Sequence, residues 1–415
     1  MNRNIILSLL VMALCFNAFC QTSEQFVKLA DKAFDSGEKR KAKELYLKAA
    51  AMNNAEAHFD IAYKFIVTHE ESVFHFSEAA KLGHKEALEY ALDELFFRAN
   101  NLTEANPEYA YEIYKAAKKI NPTLEIYDEE PKVLTLERCI EADPFDAKAF
   151  IKEYNIKDTE LDDAYGIWEL AAEASRGGRF GTPNPKLVLQ LVSRGGFVPA
   201  ELEIAVDFAY KNWKANTVFE FNVCDYVVSS FGYSYCSAKD EEEANKEYLG
   251  RLKKLSSQLK NGAGETLMNT FNVASRFIEE KAWKEELHGG SGYATWTRES
   301  IMQQKKEYLD LIEKINSFYG RDSIIAIGDS DKMLNQIYQI VIDTLKNSPI
   351  TDFNAEVNAL DLRSVQRLWI KYRDSSALLF SQIDPSVSKQ QWNNWLTAVR
   401  VKELREILAM AKEMR

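Results

Sequence analysis

The chain is short of cysteine and histidine, has no excess of positive charge, and carries no long apolar run beyond its first residues. Five cysteines are spread over 415 residues. Two of them, Cys15 and Cys20, sit in an apolar leader, and the remaining Cys139, Cys224 and Cys236 are too few for a small disulfide-built scaffold. Cys224 and Cys236 lie on one local segment and can pair, which leaves Cys139 over. The five histidines are too scattered for a metal centre. His69 and His75 in "HEESVFH" lack the i, i+4 spacing that sets two imidazoles on one helical face. Neither a metal nor any other cofactor is expected. The formal charge is −11, opposite in sign to a nucleic-acid footprint. It favours solubility and the attraction of basic partners.

The leader, "MNRNIILSLLVMALCFNAFC", holds one positive residue, Arg3, then an apolar run from Ile5 to Phe16 and a few small residues. From Gln21 the chain turns polar. That order is the layout of a secretory signal over residues 1–20, with Ala18 and Cys20 at the −3 and −1 positions. The run is too short to span a bilayer. A second reading makes Cys20 the acylated residue of an outer-membrane lipoprotein, although Asn17 and Phe19 stand where Leu or Val and a small residue are wanted. Loss of the leader removes only Arg3 among the charged residues and moves the formal charge from −11 to −12. The expectation is a periplasmic or secreted bacterial protein without an integral membrane span.

From Lys28 onward the apolar period is helical. Ala42, Tyr46, Ala49 and Ala50 form one stripe. The block "YLKAAAMNNAEAHFDIA" returns as "FSEAAKLGHKEALEYAL", so that Ala49-Ala50 align with Ala79-Ala80, Met52 with Leu82 and Ala57 with Ala87, a shift of 30 residues. "IYKAAKKINP" (Ile113 to Pro122) and "IWELAAEASRGG" (Ile167 to Gly178) repeat the first part again. Gly196 and Ala200 copy the spacing of Gly83 and Ala87. Small residues at fixed places let helices approach closely, and Gly or Asn ends the first helix of a pair. Such a period predicts stacked helical hairpins. The pattern resembles Sel-one-like and tetratricopeptide repeats over about residues 25–215, with a poor match from Leu124 to Thr159. The resemblance implies an α-solenoid, either binding proteins along a concave face or merely carrying the next domain.

Past Lys214 the period persists without the repeat. Two helical triplets in tandem are expected, over residues 216–320 and 330–415, joined by the linker "YGRDSIIAIGDSD". Within the first, the acid run Asp240 to Glu243 is expected in the first turn of a helix, where negative charge suits the dipole. In the second, Leu362-Arg363, Gln366, Trp369 and Tyr372-Arg373-Asp374 are followed by Leu396-Thr397, Arg400 and Glu403-Leu404. These ordered positions are similar to the lysozyme-inhibitor LprI-type domain over residues 331–412. Residues 219–315 resemble it more weakly, with Phe277 where the Trp would stand. The family usually carries a cysteine shortly after the Asp and another before the last helix. Here Ala377 and Trp392 stand near those places, so packing by Trp392 and Trp395 must replace a bridge.

The helix "SVQRLWIKYRDSSALLF" places Val365, Trp369, Tyr372 and Ser376 on one face, and Arg373 one turn after Trp369, where a guanidinium can lie on the indole. It reads first as a core-facing fold signature. Trp369, Tyr372, Arg373 and Asp374 are the candidate binding residues. No catalytic set stands up. "HGGSGY" (His288 to Tyr293) has Ser291 between glycines, but both flanks are helical and a nucleophile elbow needs a strand before it. "RGGRFGTPNP" (Arg176 to Pro185) lacks the Lys-Ser/Thr of a phosphate loop. An all-α, exported, non-enzymatic binding protein is therefore expected. Its partner would be a protein, a c-type lysozyme by resemblance, and the alternative is a cell-envelope scaffold holding an envelope protein or cell-wall component.

Overall fold

A computed structural model describes residues 21–414 apart from 100, 143, 162–163, 196–197, 261, 316–329 and 354. The leader with Cys20, the repeat position Gly196 and most of the expected linker lie outside the described residues. Among the described residues there are seventeen α-helices and one two-stranded hairpin, so the chain is all-α. It divides into two compact units, residues 1–228 and 229–415.

The first unit opens with α1 (Ser23–Asp35), α2 (Lys39–Ala50), α3 (Ala55–Lys64), α4 (His69–Lys81) and α5 (Lys85–Leu92). Next come α6 (Pro107–Ile120), α7 (Glu129–Ile140), α8 (Ala147–Tyr154), α9 (Ala164–Arg176), α10 (Pro185–Val192) and α11 (Pro199–Lys214). Helices α1 to α6 each pack on the next or next-but-one, so contacts stay local in sequence. The 30-residue shift has a direct structural meaning. Asn53 and Gly83, one shift apart, both take positive φ (59° and 90°) just after α2 and α4. The following residues, Asn54 and His84, then cap α3 and α5 by accepting from the Ala57 and Ala87 amides at 2.9 and 3.2 Å. Left-handed closure followed by a side-chain cap turns the chain sharply between helices. Ala42, Ala49, Ala50 and Ala57 are buried in one small-residue core around Tyr46. Residues 124–159, which match the repeat poorly, are largely helical all the same, as α7 and α8.

The boundary differs from the sequence reading. Residues 216–228 belong to the first unit. Phe221 is buried, stacks on Tyr226 at 4.8 Å and meets the Trp168 ring edge-on, while its amide donates to Ser175 Oγ at 3.0 Å. The Val228 amide donates to the buried Glu201 carboxylate at 2.9 Å. An aromatic run after a helical repeat reads as the opening of a new module, but here it fills the open end of the last repeat. Cys139 is buried and free, whereas Cys224 and Cys236 are disulfide-bonded.

The second unit comprises α12 (Ser230–Gln258), α13 (Ala263–Lys284), α14 (Tyr293–Lys314), α15 (Asp331–Asn347), α16 (Ala359–Ile383) and α17 (Lys389–Glu413). Its hairpin of β1 (Ile350–Asp352) and β2 (Ala355–Val357) pairs Ile350 with Val357. The two expected triplets share a single core, from Tyr248 to Ala411. Three helices leave one apolar face each, and α13 packs its face on α16. Phe277 and Tyr372 stack at 4.8 Å across that seam, and the Tyr308 and Ser376 hydroxyls meet at 2.8 Å. The acid run Asp240 to Glu243 is not in a first turn as expected. Helix α12 begins ten residues earlier, where the Ser229 hydroxyl accepts from the Gly232 amide, so the run sits mid-helix and gains nothing from the dipole. "HGGSGY" lies in the loop and first turn between α13 and α14. Gly289 is required there because a Cβ would lie 2.1 Å from Asp352 Oδ2.

Candidate functional site

Helix α16 positions the candidate residues. Asn358 starts it, its side chain accepting from the Leu360 and Asp361 amides at 2.9 and 3.0 Å. Leu362, Val365, Trp369, Ser376 and Phe380 point into the core. The Arg373 guanidinium lies 5.2 Å from the Trp369 ring centre. It donates to Asp374 at 2.9 Å and to Asp331 of α15 at 3.2 Å. Three of the four residues, Trp369, Arg373 and Asp374, thus form one assembly, with Asp331 as a member that sequence reasoning missed. Tyr372 leaves the helix on the flank that faces α13. It lies 5.6 Å from the Tyr308 ring, against Phe277, and burial holds its hydroxyl pKa well above the usual tyrosine range.

Two cavities flank α16. The first, of about 260 Å³, is walled by Phe277, Tyr308, Trp369, Tyr372 and Leu396, with Lys281 and Glu403 also in its lining. Behind it runs a buried ionic chain. Arg400, wholly buried, donates twice to Glu285, at 2.6 and 2.7 Å, and also to Gln366 and Glu403, both at 3.0 Å. Lys281 donates to the other Glu403 oxygen at 2.8 Å. Burial alone would lower the Arg400 pKa; the Glu285 carboxylate outweighs it and holds the guanidinium protonated. Burial likewise pushes the Glu403 pKa up, and Lys281 and Arg400 together bring it below the usual carboxylate range. Such a chain fixes α13, α16 and α17 in register. Glu285 and Lys281 were invisible as partners in the sequence. Their only signal was that a motif arginine on an apolar face needs an acid.

The second cavity, of about 380 Å³, lies between α15 and α16 and is lined by Tyr338, Arg363, Gln366, Arg367, Trp369 and Arg373 among others. Arg363 is half-buried and Arg367 exposed. Arg373, one of the candidate binding residues, is already held by two carboxylates, while Arg363 and Arg367 have no salt bridge among the described residues. At the far end of α16, Phe380 meets Trp392 edge-on at 5.2 Å, and Trp392 meets Trp395 at 5.8 Å. Ring packing joins α16 to α17 where the family resemblance would place a disulfide. No cluster able to hold a metal occurs among the described residues, and no described helix is long and apolar enough to cross a membrane.

Residues 324–404 match the family described as Lysozyme inhibitor LprI. The match covers α15, the hairpin, α16 and most of α17, and leaves the first unit and α12 to α14 outside it. No curated protein and no solved structure matches the chain.

Proposed function

We propose that the chain is an exported, non-enzymatic binding protein whose second unit inhibits a c-type lysozyme. The observation that carries this reading is the match of residues 324–404 to a lysozyme-inhibitor family. Export is supported by the composition of residues 1–20. Lysozymes of this type are strongly basic and work through two carboxylates, so an acidic chain is steered toward them. Steering is screened as the Debye length falls from ~30 Å at 0.01 M to ~10 Å at 0.1 M salt. The test is clearance of a bacterial cell-wall suspension by lysozyme, with and without excess mature protein. Inhibition that weakens with salt is expected. Unchanged lysis at low salt, with no complex by size-exclusion chromatography, would sink the reading.

A second reading, an envelope scaffold, has its own observation. In the first unit Phe59 and Tyr63 stack at 5.2 Å, and Phe76 and Tyr90 at 4.8 Å. Tyr63 and Tyr90 remain 59% and 39% exposed, an aromatic surface of the kind that anchors protein contacts. A pull-down from envelope extract should lose its captured protein on Tyr63→Ala with Tyr90→Ala if this surface is used, and keep it if the second unit binds.

A further inference from the structure

The cavity between α15 and α16 carries three arginines, Arg363, Arg367 and Arg373, against a single acid, Asp331. Arg363 and Arg367 are one helical turn apart, so their side chains leave the same face of α16. The Tyr338 hydroxyl on the facing helix lies within reach of the charges of both guanidiniums. Asp343, the acid whose charge Arg363 also acts on, is already engaged by Lys346 and Gln339, at 3.0 and 2.8 Å. The one acid in the lining, Asp331, is taken by Arg373. Two guanidinium charges are therefore left uncompensated among the described residues.

Gln366 supplies an independent observation. Its side chain is 93% buried by its 7% exposure, and its carbonyl accepts from Arg400 Nε at 3.0 Å. A guanidinium can only donate, so the amide orientation is not free: the carbonyl faces Arg400. The NH2 half is left without an acceptor among the described residues, in a side chain that lines the cavity. An amide donor in the lining of a cleft, beside two guanidiniums without a salt bridge, makes a site for oxygen acceptors. Leu334, Trp369 and Ile370 complete the lining and provide an apolar wall for an organic body. The volume, about 380 Å³, falls in the range of small-molecule sites.

We propose that this cleft is a binding site for a small organic dianion, two carboxylates on a short apolar spine. Arg363 and Arg367 receive the carboxylates, each through the paired N–H geometry that matches a carboxylate, and the Gln366 amide adds a further donor. The site stands independently of lysozyme inhibition. A small ligand of this kind fits the cleft, whereas a broad protein face reaches only the exposed Arg367.

The test is isothermal titration calorimetry of the full mature chain with glutarate as probe, at constant ionic strength set with chloride. Monomethyl glutarate and inorganic phosphate are the comparison ligands. Saturable glutarate binding is expected, at least tenfold tighter than the monoester and tighter than phosphate. Arg363→Gln with Arg367→Gln should weaken it at least tenfold, while Arg405→Gln, outside the cleft, should leave it unchanged. Circular dichroism melting of each variant separates loss of the site from loss of the fold. If the double variant proves unstable, Arg367→Gln alone, an exposed position, should still weaken binding several-fold. Absence of glutarate binding, equal binding of the monoester, tighter binding of phosphate, or binding unaltered in a folded double variant would each overturn the proposal. The lysis assay runs separately, so either reading can fail alone.

Discussion

Arg400 and Glu285 form a two-pronged ion pair, 2.6 and 2.7 Å, with both side chains almost wholly inaccessible to water. They are 115 positions apart and come from opposite triplets of the second unit. The pair explains why the last helix of the family match cannot be read in isolation. Its arginine is completed by a residue outside the matched segment.

Breaking that pair from one side should be severe. Glu285→Ala leaves a buried guanidinium short of its main counter-charge, at a cost of about 3–5 kcal/mol. Replacing both, Glu285→Leu with Arg400→Met, should recover most of the loss, because Glu403 keeps Lys281. Urea unfolding of Glu285→Leu, Arg400→Met and the double forms the cycle. Additive losses would show that the pair is not coupled.

Acid should weaken the first unit through two buried histidines. The Nδ1 atoms of His58 and His75 are 2.9 Å apart, so one ring donates to the other while both are neutral. Burial lowers both pKa values, that of His75 to about 4 with the His58 charge adding to the effect. The neutral forms thus stabilise the fold fully above the unfolded value of about 6.5, and that contribution is lost as pH falls through about 4. The loss from His75 is on the order of 3 kcal/mol. Thermal melts between pH 7 and 4 should show a smaller fall in a His75→Phe variant. Parallel curves would reject the assignment.

Cys139 should be unreactive in the folded chain. It is 2% exposed, and burial pushes its pKa up to about 12, which leaves roughly one thiolate in ten thousand at pH 8. Mass spectrometry after iodoacetamide should show no label natively and one label in denaturant. A peptide map without reductant should join Cys224 to Cys236. Three labelled thiols without reductant would contradict both statements.

Gly83→Ala should cost more than Asn53→Ala although the two residues are equivalent in the repeat. Both lose a left-handed position, worth about 1–2 kcal/mol, but a Cβ at Gly83 also meets Ile120 Cγ2 at 3.2 Å. Equal shifts in melting temperature would show that Ile120 gives way freely.

Some of this was legible without coordinates. The all-α class follows from the apolar period. The turn chemistry follows from Asn53 and Gly83, since each acts through its own backbone and its helical neighbours. Trp369 with Arg373 could be read too, because i and i+4 are adjacent on any helix. Local geometry transmits such features directly from residue order to space.

What the tertiary structure alone decided is the company these residues keep. The candidate Arg373 is held by Asp331, from another helix, whereas Arg363 and Arg367 have no salt bridge among the described residues. Tyr372, three residues from Trp369, is buried against α13, where Phe277 stacks on it. The segment around Phe221 closes the first unit instead of opening the second, since burying its rings beside Trp168 removes apolar surface from water. Periodicity states which face of a helix is buried. Which other helix buries it, and which charges meet there, depends on the packing of the whole core and has no signature in local order.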